Sequence, residues 1–171
     1  MMTNQIESTM HILIRKAVLD EAPAIASVLR QAFIEYEPLY TPAAFAVTTP
    51  NSDQIRERWD EGPVWVGIQN GNIVGTVAAV PKDSGLYVRS MAVLPASRGY
   101  GIAKGLLEVI KSFAVDHHHE RMFLSTTPFL EHAIRLYEHF GFQRNDDGPH
   151  DLFGTPLFTM VKLLDRPEKF E

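Results

Sequence analysis

Apolar residues change their spacing several times along this chain, and each change marks an element. In HILIRKAV (His11–Val18), Ile12 and Ile14 recur at every second position, the period of a strand. From Ala22 to Phe33 the spacing turns helical, with Ile25, Val28, Leu29 and Ala32 on one face and Asp20 as the expected N-cap. YEPLYTPAAFAVTTPNS, with three prolines and three aromatics, reads as an irregular loop, and DQIRERW as a second, short helix. PVWVGIQ and NIVGTVAAV are β-rich runs around Asn70-Gly71, two residues that both tolerate positive φ, which predicts a hairpin. GLYVRSMAV (Gly85–Val93) follows as a third consecutive strand. Helical spacing returns at Ile102, Leu106, Val109, Ile110 and Phe113. RMFLSTT is a strand, and PFLEHAIRLYEHF a helix with Pro128 in its first turn and Gly141 as its C-cap. After the polar loop RNDDGPHDLFG, TPLFTMVKLL is a last strand.

Three strands in a meander followed by a β-α-β unit predict a mixed sheet covered by helices, an α+β or α/β layered domain. Nothing in the order has linker composition, so residues 11–164 read as one domain between a tail at 1–10 and a short C-terminal tail at 165–171. At 171 residues, 45% hydrophobic and 22% charged, the chain has the composition of a globular protein. A formal charge of −5, with no run of five basic residues, argues against a nucleic-acid surface. The polar start MMTNQIESTM is unlike a secretory signal, and no apolar run reaches the roughly 18 residues of a membrane span. There is no cysteine, which excludes disulfides, thiolate metal sites and a cysteine nucleophile. Together these features point to a cytoplasmic protein without a membrane partner.

LPASRGYGIAKGLL (Leu94–Leu107) places three glycines between a strand and a helix. Such a junction aims free backbone N–H groups and the positive end of the helix dipole at one point, which is where an anion binds. Glycine lets the backbone approach a phosphate, and Arg98 adds a cation with forked donors. A dinucleotide fingerprint needs a small residue where Lys104 stands and an acid at the end of the next strand, which is Ser125-Thr126-Thr127. The phosphate-binding loop of nucleotide hydrolases is equally absent. His117, His118 and His119 point about 100° apart on a helix, so they read as a solvated helix end and no metal site is expected.

SMAVLPASRGYGIAKGLL resembles the coenzyme A signature of the GNAT superfamily of N-acetyltransferases, R/Q-x-x-G-x-G/A, through Arg98, Gly101 and Ala103. HAIRLYEHFGF (His132–Phe142) resembles the second hallmark of that family, and the likeness runs over roughly residues 11–164. The resemblance implies a mixed, mostly antiparallel sheet of about six to seven strands with helices on both faces. It implies acetyl-CoA as co-substrate, with its pyrophosphate on the backbone amides of Arg98, Gly99, Tyr100, Gly101, Ile102, Ala103 and Lys104. Its pantetheine arm would lie along Met91, Ala92 and Val93, in a wedge where this strand parts from RMFLSTT. The amide of Val93 would polarise the thioester carbonyl, and Tyr137 would return a proton to the departing thiolate.

The family pattern breaks at two places. Some relatives carry a glutamate where this chain has Tyr87, and the helix that often begins with asparagine has Leu130. A base must then be water or an acid from elsewhere, for which Glu35 and Glu37 are candidates. Tyr36, Tyr40 and Phe45 could either line an acceptor pocket or pack as a lid, and Trp59 and Trp65 read as packing residues. The expected acceptor is a primary amine of a small molecule or peptide, attacked directly in a ternary complex. The acidic chain favours a cationic or neutral amine, whereas Arg89, if it faces the cleft, favours one bearing a carboxylate. The alternative is a non-catalytic acyl-CoA sensor that keeps the cradle and lacks the chemistry. PLFTMVKLL, as an edge strand, would offer pairing across a homodimer.

Overall fold

Nine strands and five α-helices organise residues 11–165, the part of the chain that the computed structural model describes. In chain order they are β1 (Ile12–Lys16), α1 (Ala22–Phe33), α2 (Pro42–Thr48), α3 (Ser52–Glu57), β2 (Val64–Gln69), β3 (Asn72–Lys82) and β4 (Gly85–Val93). Then come α4 (Ile102–Asp116), β5 (Arg121–Thr126), α5 (Glu131–Phe140), β6 (Gln143–Asn145), β7 (Asp151–Leu152), β8 (Thr155–Pro156) and β9 (Phe158–Leu163). Seven strands form one sheet in the order β1-β2-β3-β4-β5-β9-β6, and β7 pairs with β8 in a separate hairpin. Every pairing in the large sheet is antiparallel except β4 with β5, where α4 supplies the crossover that a parallel pair requires. Apart from Asp165, the two expected tails lie outside the described residues.

Alternation along the strands builds a core on each face. Trp65 of β2 packs with Leu106, Leu107 and Ile110 of α4, while its neighbour Val66 packs with Ile25, Val28 and Leu29 of α1. Asn70 and Gly71 take positive φ, +50° and +83°, and close the β2–β3 hairpin as their residue types predict. Gly141 likewise ends α5 in the left-handed region.

Four expectations need correction. Asp20 does not cap α1; it lies in a 3-10 turn, and the carboxylate of Glu21 accepts the N–H of Val18 at 2.9 Å while Arg15 forks onto it at 2.8 and 2.7 Å. The proline-rich stretch is helical rather than irregular. Thr41 accepts the N–H of Ala44, Pro42 starts α2 where its missing N–H costs nothing, and a 3-10 turn spans Ile34–Leu39. Pro128 precedes α5, which starts at Glu131. The C-terminal strand β9 is not an edge, because β5 and β6 flank it; β1 and β6 are the edges.

Gly105 sits inside α4, where a Cβ would meet Ile14 Cγ1 at 3.2 Å and Cδ1 at 3.4 Å. Alanine there gains up to about 1 kcal/mol of helix propensity and loses a comparable amount against Ile14. Gly105→Ala should therefore shift the melting temperature by no more than about 4 °C in either direction. A scanning-calorimetry comparison checks this.

Candidate active site

Two irregularities in β4 create the site. Between Thr76 and Ala78 the partner on β4 advances from Ala92 to Arg89, so β4 carries one extra residue, a β-bulge at which Ser90 takes φ +54°. The bulge reverses the alternation: Leu86 and Val88 face α4 before it, and Val93 faces α4 after it. Tyr87 and Arg89 consequently share the opposite face from Leu86 and Val88. The second irregularity is a splay. β4 pairs with β5 only at Leu86↔Met122 and Tyr87↔Phe123, and beyond Tyr87 the two strands part. On its other side β4 stays paired with β3, and Leu94 donates to Val74 O at 2.8 Å. Strand alternation then turns the N–H of Val93 the other way, into the gap.

At the far end of the gap the chain enters α4 through Gly99 and Gly101, at φ +87° and +82°. A Cβ on either glycine would meet no protein atom within 4 Å. No side chain caps this helix, so the N–H groups of its first turn, from Ile102 to Lys104, are not taken by a side-chain cap. A cleft of about 530 Å³ runs from this loop past Met91, Ala92 and Val93 to Leu136 and Tyr137 on α5. Open space beside two left-handed glycines, uncapped amides and an unpaired strand edge make a groove that fits an extended ligand with a phosphate at one end.

A second cavity, of about 310 Å³, lies on the other side of the gap, with Tyr40, Arg58, Tyr87, Arg89, Ser125 and Thr126 among its walls. Tyr137 belongs to both cavities. Its ring is buried and packs edge-on against Phe142, with centroids 5.8 Å apart. Burial pushes its phenol well above the ordinary value, and Tyr40 pushes it the same way, so it holds its proton across the neutral range. Burial also raises Tyr87, an effect opposed by the nearby charge of Arg89.

The other expected residues separate into groups. Met91, Ala92, Val93, Arg98, Gly99, Gly101, Ile102, Ala103 and Lys104 all line the first cleft, whereas the side chain of Tyr100 is exposed. Tyr40, Tyr87 and Arg89 line the second cavity. Tyr36 reaches the first cleft, and Phe45 packs on Tyr40 at 6.0 Å as part of the lid formed by α2. Glu35 does not line the second cavity: its carboxylate binds Arg98 at 3.1 Å, and both it and Glu37 are exposed on the 3-10 turn. Trp65 is buried against Phe113, at 5.5 Å, and Trp59 packs beside α1. Sequence reading missed Arg58 and Thr126, which sit far from any motif. It also missed the bulge, whose one trace is the loss of alternation in VRSMAV.

Among the described residues, no group of three or more potential ligands could hold a metal ion, and no helix is long and apolar enough to cross a membrane. Similarity to known proteins agrees with the architecture. The family model described as "Acetyltransferase (GNAT) family" matches residues 28–142. The uncharacterized N-acetyltransferase YjgM of Escherichia coli strain K12 is 35% identical over 140 residues, covering 78% of this chain and 83% of that protein. Human N-acetylaspartate synthetase is 38% identical over 102 residues, which cover 58% of this chain but 34% of the synthetase. Among solved structures, the PaiA N-acetyltransferase of Thermoplasma acidophilum in complex with coenzyme A superposes with a TM-score of 0.76 at 14% identity, over 90% of this chain and 99% of that one. That last likeness is one of fold. The splayed β4–β5 pair, the glycine loop into α4 and the family match over most of the sheet agree: the chain belongs to the GNAT acetyltransferase family.

Proposed function

We propose that this protein is an acyl-CoA-dependent N-acetyltransferase that moves an acetyl group directly to the primary amine of a small molecule. The observation that carries the reading is the position of Tyr137, which is buried and shared by two cavities that meet at the β4–β5 gap, with burial pushing its phenol up. Acetyl-CoA, when bound, supplies an acetyl group activated as a thioester. The amides from Gly99 to Lys104 would hold its pyrophosphate beside Arg98, whose own N–H is taken by Pro95 O at 3.3 Å, and the free edge of β4 from Met91 to Val93 would hold its arm. The N–H of Val93, turned into the gap, is placed to polarise a carbonyl there. Tyr137 keeps a proton at Oη for a departing sulfur. Asp151 is the one carboxylate on the acceptor cavity, and it already accepts the N–H of Gly154 at 3.0 Å. No side-chain base is therefore assigned, and the acceptor loses its proton to water.

This arrangement has a pH signature. An amine attacks only when neutral, so kcat/KM should rise with pH through the acceptor's own pKa. Tyr137 is raised above the ordinary phenol value of about 10, so the acid form persists and no descending limb should appear below about pH 10. The experiment is a panel of amines with acetyl-CoA, followed by release of free thiol as a function of pH. Turnover with the rising limb alone supports direct transfer. Coenzyme A binding without turnover of any amine would instead identify a sensor.

A further inference from the structure

The acceptor cavity is lined by two cations and one carboxylate, Asp151, with a second carboxylate, Glu61, on Arg89. Arg58, at the C-terminal end of α3, and Arg89, on β4 just before the bulge, both face it. Glu61 binds Arg89 Nη1 at 2.7 Å, and its charge also reaches Arg58. Burial lowers the pKa of Arg58 and the neighbouring Arg89 lowers it further, so the two guanidiniums are held together against their repulsion. Asp151, on the same wall, is exposed and accepts the N–H of Gly154. Three polar atoms of residues lining this cavity are buried without a hydrogen-bond partner: Nε of Arg89 and Oγ1 of Thr126 and Thr127. Buried donors left unmet cost free energy, and a ligand that supplies acceptors recovers it. The cavity volume, about 310 Å³, suits a small molecule.

We propose that the acceptor is a free α-amino acid, whose carboxylate lies against Arg58 and Arg89 and whose amine is directed toward Tyr137. The guanidinium fork matches a planar carboxylate through two parallel hydrogen bonds, which a carboxamide or a bare alkyl group cannot reproduce. Arg58, which forms no ion pair among the described residues, also disfavours cationic amines such as polyamines, and with the unmet Nε of Arg89 it resolves the conflict between the acidic chain and Arg89 in favour of Arg89. The assignment rests on the acetyl-transfer reading given above.

The test is steady-state acetylation of the common L-α-amino acids, each compared with its α-carboxamide and its decarboxylated amine. Calorimetry of the same compounds on protein saturated with coenzyme A accompanies it. At least one acid should exceed its carboxamide and amine by about 10²-fold or more in kcat/KM, as a site built around a polar group rejects analogues that lack it. Arg89→Gln and, separately, Arg58→Gln should shrink that acid-to-carboxamide ratio at least about 10-fold, mainly through KM, with Arg89→Lys recovering part of it. Carboxamides used as well as acids would overturn the proposal, as would either glutamine variant slowing both compounds equally. If nothing is acetylated but calorimetry shows acids binding and carboxamides not, the carboxylate site stands and the acetyl-transfer reading falls. If neither turnover nor binding prefers the acid, the carboxylate site falls.

Discussion

Gly101→Val should abolish measurable binding of coenzyme A while leaving a folded protein. Gly101 stands at φ +82° as the N-cap of α4, a conformation that costs an L-residue about 1–2 kcal/mol and a β-branched one more. The protein itself does not resist the new side chain, since a Cβ there meets nothing within 4 Å. What it fills is the mouth of the 530 Å³ cleft, beside the uncapped amides of Ile102, Ala103 and Lys104. The expected outcome by calorimetry is a loss of affinity of at least about 10²-fold, with a fall of only a few degrees in melting temperature. Gly105→Ala, one turn along the helix, should keep its affinity. The contrast separates a phosphate cradle from general helix damage, because both changes lie in the same element. Gly99 has the same left-handed conformation and the same open space, so the proposed cradle includes it beside Gly101. Wild-type affinity in Gly101→Val would show that phosphate binds elsewhere.

Tyr137→Phe should lower kcat by roughly 10²–10⁴-fold, the range over which a positioned acid contributes, with coenzyme A affinity changed by no more than about 3-fold. Removing one oxygen leaves the ring on Phe142 and the wall between the two cavities in place. The proton is what disappears. Single-turnover thiol release, measured with saturating acetyl-CoA, reads the chemical step apart from binding. A variant that turned over at the wild-type rate would move the acid role to another group.

Much of the frame was legible along the chain. The alternation in β2, β3 and β5, the helical faces of α1 and α4, the Asn70-Gly71 turn and the glycine loop each depend on residues a few positions apart. Local sterics and periodicity are enough to specify them. Misreadings fell where one residue type has two local meanings. Pro42 marks a helix start as readily as a loop, and Thr41 decides between them through its bond to Ala44 N. PLFTMVKLL has the pattern of a strand, but pattern does not say which strands will lie beside it. Its place between β5 and β6 comes from long-range pairing.

The chemistry divides along the same line. Residues 94–107 carry the proposed anion site in their own order of glycines, arginine and helix start, since the amides assigned to it are contiguous. The acceptor cavity has no such contiguous source. Arg58 meets Arg89 across 30 intervening positions, and Tyr137 reaches both cavities because β5 leaves β4 after Tyr87. Ser90 takes a positive φ that its residue type does not favour, because pairing with β3 demands one extra residue there. Local order carries the proposed phosphate site. The proposed acceptor cavity, and the charge on its wall, come from the register of distant strands, which no short stretch of sequence contains.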